Sequence, residues 1–248
     1  MEGTAFWSLA VVAAALVGMS KGGLPVVGML AVPVLALVMH PVAAAGLLLP
    51  VYVVSDMFGL YAYRHAFDRR VLAILAPAAT LGVALGWATA AFVPERLVTG
   101  LIGLIGASFA LRLLLRRGPE APAKRAEVGP GIFWGTLTGF TSFVSHAGAP
   151  PYQVYVLPLK LDKAVFAGTS TVLFAYVNAI KLIPYWALGT LTFRDLKIAA
   201  ALMVPASLAV FLGVWLVRVL PEKLFFQLVT WALLAVSLRL LWEAATGS

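Results

Sequence analysis

The sequence contains no cysteine among its 248 residues. That absence alone excludes disulfides, thiolate nucleophiles and thiolate metal ligands, and it leaves the redox compartment open. Three histidines, spread along the chain without cysteine, make a poor metal site, so neither a metal nor another cofactor is expected. Charge is scarce too. Asp, Glu, Lys and Arg together make up 11% of the chain against 62% hydrophobic residues, and the mean hydropathy is +0.99. A soluble domain keeps roughly a quarter of its residues charged so that its surface stays wet, and this chain does not. The catalytic signatures HExxH, GxSxG, the Walker loop and the Rossmann glycine pattern are all missing, so no enzyme is expected.

What the chain does have is a series of apolar runs: Ala5–Met19, Leu24–Met39, Val42–Tyr63, Val71–Phe92 and Leu97–Leu115, then Ile132–Val144, Pro151–Leu159, Ala164–Leu188, Leu196–Val219 and Leu224–Leu241. Runs near 18 residues separated by short charged loops read as membrane-spanning helices. Continuous rather than alternating hydrophobicity argues against a membrane β-barrel. The expected fold is therefore an all-α, polytopic membrane helix bundle. The net charge of +8 lies in loops and helix ends, where membrane topology accounts for it and nucleic acid is not needed. No basic stretch precedes Ala5–Gly18, so this run is read as part of the mature fold rather than a cleaved leader.

One stretch interrupts the apolar pattern. In Val17–Pro33, VGMSKGGLPVVGMLAVP, a glycine pair and a proline break what would otherwise be membrane helix, and Lys21 lies at the break. A degraded copy lies at Phe143–Pro158, FVSHAGAPPYQVYVLP, in which Ser145, His146, Gly148, Pro150 and Pro158 match Ser20, Lys21, Gly23, Pro25 and Pro33 at an offset of 125. Pro94-Glu95-Arg96-Leu97 also recurs as Pro221-Glu222-Lys223-Leu224. This is the pattern of an internal duplication: a first repeat over residues 1–115, a polar basic linker over 116–130 and a second repeat over 131–248. Each half has five apolar segments, an odd number, so the second enters the membrane inverted. Pro151–Leu159 is too short for the ~30 Å hydrocarbon core, which leaves open ten spans or eight with re-entrant hairpins. Thirteen of the Lys and Arg residues fall on one side of this alternation and four (Arg96, Arg194, Lys197 and Arg239) on the other, Lys181 being set aside as intramembrane. The positive-inside rule then makes the linker cytoplasmic and places both termini outside.

Gly/Pro-broken segments at corresponding places in two halves point to a substrate site. Gly22, Gly23 and Pro25 permit a backbone break. A half-helix starting near Leu24 would turn unpaired N–H groups toward an anion, with Lys21 and Ser20 as added donors. The plain alternative is a tight loop with Lys21 as a cytoplasmic anchor. His146 either titrates near neutral pH and couples proton movement, or is a loop imidazole with one hydrogen bond. Asp56 and Lys181 lie inside long apolar runs at matching places in the repeat, where a charge costs ~2.5–3.5 kcal/mol on insertion scales. They read as an interior ion pair or gate, with a snorkelling Lys181 as the alternative. Asn178 shares the helix face of Lys181. Thr169, Ser170 and Thr171 are ambiguous, because such residues often bond back to their own helix. The glycine series 82/86, 100/103/106 and 131/135/139 read as helix-packing stripes, and Trp7, Trp87, Trp186 and Trp242 as interfacial belts.

SKGGLPVVGMLAVPVLAL near the start and SHAGAPPYQVYVLPLKLDKAVFAGTS opening the second half resemble the TauE/SafE family of sulfite exporters over nearly the whole chain. The second copy departs from the usual glycine cluster at His146-Ala147-Gly148. The resemblance implies a bacterial inner-membrane secondary transporter that exports sulfite or a small organosulfonate by alternating access between two related halves. Together these readings place the substrate where the two breaks cross. Ser20, Lys21, Gly22, Gly23, Ser145, His146 and Gly148 would line it, Asn178 and Lys181 approach from the neighbouring helix, and Asp56 or His146 would serve gating or proton coupling. The rival readings are a channel of the same fold, a non-transporting membrane enzyme or assembly subunit, and a cation transporter using Asp56.

Overall fold

The computed structural model describes residues 3–89, 92, 94–115, 122–187 and 193–246. The elements are α1 (Thr4–Lys21), a 3-10 turn (Val27–Leu30) running into α2 (Ala31–Ala36), α3 (Pro41–Ala62), α4 (Arg69–Thr89), α5 (Glu95–Leu114), α6 (Val128–Val144), α7 (Ala149–Val156) with a 3-10 turn (Leu157–Leu159), α8 (Lys163–Ala187), α9 (Phe193–Val219) and α10 (Glu222–Thr246). No strand occurs among the described residues. Among the described residues seven helices, α1, α3, α4, α5, α8, α9 and α10, are long and apolar enough to cross a membrane, and the protein is a multi-pass membrane protein. Leu24–Met39 is not one helix but a turn followed by two short elements. Pro151–Leu159 becomes the eight-residue α7 and its terminal 3-10 turn. Linker residues 116–121 lie outside the described residues.

The chain divides into two compact units that interleave in sequence. One comprises residues 1–67 and 164–220, the other 68–163 and 221–248. In the first unit, α1 packs on α9, α3 and α2, and α3 packs on α9. The core is built largely of small residues: Ala10, Ala13, Ala14 and Val17 of α1, Ala44 and Val51 of α3, and Ala199 and Ala206 of α9. Lipid tails are as apolar as these side chains, so association depends on close van der Waals approach rather than on exclusion of water. Gly18 on α1 and Gly22 just past its end meet the backbone of α9 at Ala206 and at Val210 and Gly213.

In the second unit, α4 packs on α6, and α5 packs on α10 and α7. The glycine stripes serve these contacts reciprocally. A β-carbon on Gly82 would overlap the Thr136 carbonyl oxygen, and one on Gly139 the Ala79 carbonyl oxygen. Backbone cannot rotate away as a side chain can, so Gly139→Leu is expected to destabilise this unit by more than about 1–3 kcal/mol. A lowered midpoint for loss of tryptophan fluorescence in detergent would show it. The described part of the linker is tied down within the same unit: Lys124 N–H donates to the Pro158 carbonyl at 2.9 Å, Arg70 Nε to the Ala126 carbonyl at 3.0 Å, and the Tyr155 hydroxyl to the Glu127 carbonyl at 2.9 Å. Trp7, Trp87, Trp186 and Trp242 are all exposed, as an aromatic belt requires.

Candidate functional site

The first break is a closed helix terminus. Gly22 N–H bonds the Gly18 carbonyl, Gly23 N–H the Ser20 carbonyl and Leu24 N–H the Met19 carbonyl. Gly23 has φ +110°. These are the two reciprocal bonds of a Schellman motif with glycine in the position that needs positive φ. The N–H groups of Gly23 and Leu24 therefore cap α1 and do not face a ligand, which departs from the half-helix expectation. Beyond the cap the chain forms a 3-10 turn and a six-residue helix. Glycine serves close approach here: a side chain on Gly22 would meet α9, and one on Gly23 would meet Tyr63 and Ala167. The side chain of Ser20 bonds back to the Val17 carbonyl at 2.6 Å.

Lys21 is the last residue of α1, and it is buried, 4% exposed. Burial removes the cytoplasmic-anchor reading. Its ammonium lies 2.8 Å from Asp56 Oδ1 and 5.1 Å from the centre of the Tyr52 ring, in cation–π geometry. Asp56 is 1% exposed, and its Oδ2 accepts from Asn178 Nδ2 at 2.8 Å. Lys181, one turn beyond Asn178 on α8, is 2% exposed and so does not snorkel. Its ammonium stands 5.9 Å from the Tyr185 ring centre and within electrostatic reach of Lys21 and Asp56. Lys21, Asp56, Asn178 and Lys181 thus come together within the first unit, carried by α1, α3 and α8.

Three further residues build the site, and the sequence pattern singles out one of them only as ambiguous. Thr171 Oγ1 donates to the Lys21 carbonyl at 3.1 Å, whereas Ser170 bonds back to Ala167. The Tyr63 hydroxyl donates to the Gly22 carbonyl at 2.6 Å, and the Tyr52 hydroxyl to the Gly28 carbonyl at 2.7 Å. A tyrosine in an apolar run needs a partner for its hydroxyl, and that is the signal available in sequence for both. Tyr63 follows the last residue of the apolar span, and burial pushes its phenol above the usual range, with Arg218 acting the other way. It remains a neutral donor. Tyr63→Phe is expected to lower the stability of the break by about 1 kcal/mol, checked as a fall in thermal midpoint. Ser55, which precedes Asp56 in the chain, has a fully buried hydroxyl with no hydrogen-bond partner.

Ser145, His146 and Gly148 lie in the second unit. Ser145 ends α6, its N–H on the Thr141 carbonyl, and Ala147 N–H bonds the same carbonyl. His146 adopts φ +51°, so it takes the left-handed position after the helix end that Gly23 takes in the first break. Gly148 precedes α7 as its N-cap. No group of three or more metal-ligating side chains occurs among the described residues.

The sequence model of one family, described as Sulfite exporter TauE/SafE, matches residues 9–240. No curated protein and no solved structure gives a significant match. A match over nearly the whole chain takes in both breaks and every residue of the buried charge cluster: the chain belongs to the sulfite exporter TauE/SafE family, a family of membrane transporters and not of enzymes.

Proposed function

We propose that the chain is a secondary transporter that exports a small sulfur-containing anion, sulfite or an organosulfonate, by alternating access. The observation that carries this reading is the buried cluster at the first break, where Lys21 pairs with Asp56 and Lys181 lies within electrostatic reach of both. An ionisable group inside a membrane bundle is expensive and marks a pathway or ligand position, and surplus positive charge suits an anion. Lys21, Lys181 and Asn178 would bind it, the Ser55 hydroxyl would add a donor, and Asp56 would release Lys21 to the arriving anion. Gly22 and Gly23 would supply the hinge. At the second break, Ser145, His146 and Gly148 would form a further ligand position, with His146 coupling proton movement.

We also infer that residues 1–115 and 131–248 are inverted repeats. The packing supports this: α1 lies on α9 in one unit and α6 on α4 in the other, and α6 and α4 are the counterparts of α1 and α9. The charge asymmetry of the loops supports a cytoplasmic linker and external termini in a bacterial inner membrane.

The test is flux of sulfite, sulfoacetate and sulfate in proteoliposomes with and without a pH gradient. Saturable flux with counter-exchange of one sulfur anion is expected. Flux that does not saturate would make the protein a channel, and no sulfur-anion flux from folded protein would refute the reading.

A further inference from the structure

Among the described residues the buried charged side chains are three, namely Lys21, Asp56 and Lys181, and they occupy one site. The other groups placed around them, Tyr52, Tyr185, Asn178 and Thr171, carry no formal charge. With both lysines protonated and Asp56 ionised, these described residues leave the site one positive charge in excess. We propose that this site selects its anion by valence, taking monoanions over dianions, with Asp56 setting the count. The inference rests on the transport reading above and narrows its substrate class to singly charged sulfur oxyanions, such as a sulfonate or the hydrogen form of sulfite.

The physical reason is the balance of two terms. A monoanion brings the buried site to neutrality, whereas a dianion overshoots to one negative charge. Desolvation rises with the square of charge, so a dianion leaves water at about four times the penalty of a monoanion. The attraction to a single excess charge only doubles. Asp56 thus has a second role beyond holding Lys21: with its charge deleted, the excess becomes two and a dianion is the neutralising ligand. Removing Lys21 and Asp56 together returns the excess to one, now held by Lys181.

Methanesulfonate and sulfate serve as probes, one a monoanion and the other a dianion, both tetrahedral at sulfur. Binding is read from the rise in thermal midpoint of the purified full-length protein as each anion is titrated, and sulfite flux is measured separately. The wild type is expected to prefer methanesulfonate on the order of tenfold, Asp56→Asn to shift the ratio on the order of tenfold toward sulfate, and Lys21→Gln/Asp56→Asn to restore the wild-type order. Should Asp56→Asn fail to fold, Lys181→Gln carries the test: with no excess charge left, sulfate falls further than methanesulfonate and the preference widens. An unchanged ratio in Asp56→Asn, a double variant that keeps the sulfate preference, a Lys181→Gln ratio that does not widen, or a wild type that prefers sulfate or binds neither probe each overturns the valence rule. Absence of sulfite flux in a wild type that still discriminates the probes would instead refute the transport reading while the site's charge rule stood.

Discussion

Lys21→Ala is expected to destabilise the folded protein by about 3–5 kcal/mol, although it removes a single side chain from a helix end. The pair it breaks is buried on both sides, so truncation strands the Asp56 carboxylate in a nearly anhydrous interior. Asn178 still donates to Oδ2, and Lys181 still acts on the carboxylate from nearby, which keeps the loss toward the lower end of that range. The double variant Lys21→Met/Asp56→Leu removes both charges and replaces them with apolar volume. It is expected to recover most of the loss, because well-packed apolar residues often match or exceed a buried ion pair in stability. The measurement is unfolding in mixed micelles for wild type, both single variants and the double. A coupling energy above ~1 kcal/mol is expected, and additive losses would show that the pair is not the interaction that matters.

Lys181→Met is expected to lower sulfite flux on the order of 100-fold while the protein stays folded and inserted. The substitution keeps most of the length and the apolar volume of the side chain and removes its positive charge. Lys21 and Asp56 then neutralise one another, and an arriving anion meets a site with nothing left to offset its own desolvation. Stability does not fall as it does for Lys21→Ala, since Asp56 keeps its pairing with Lys21 and the repulsion between the two lysines is relieved. Flux in proteoliposomes beside a thermal midpoint separates the two effects. Wild-type flux from the folded variant would remove Lys181 from the site.

The contrast between these lysines shows where sequence reasoning succeeds and where it stops. Lys181 stands out because it lies deep in a long apolar run, and depth is visible along the chain. Lys21 is ambiguous in sequence, since a lysine after a helix end next to Gly-Gly is equally a loop anchor. Its burial depends on the close approach of α1 to α9 and α3, which small residues on three separate segments permit. Tyr52 and Tyr63 escape sequence reasoning for a related reason. Their hydroxyls pair with backbone carbonyls exposed by the break, and those carbonyls are invisible until the break is built. The half-helix expectation differs from the structure because a positive-φ glycine can end one helix as readily as it can precede another. Here the N–H groups fold back onto α1.

By itself, the sequence determined the solvent of this protein and its punctuation. Scarce charge and long apolar runs require a bilayer, since backbone polar groups in lipid must be satisfied inside helices; Gly22-Gly23 marks where one helix gives way and Pro150-Pro151 where another begins. Only the tertiary structure decided which charges meet. Asn178 reaches Asp56 across 122 residues and Thr171 reaches Lys21 across 150. Such partners are set by how helices cross, and helix periodicity specifies the face a residue shares with its own neighbours but not the distant helix packed against it.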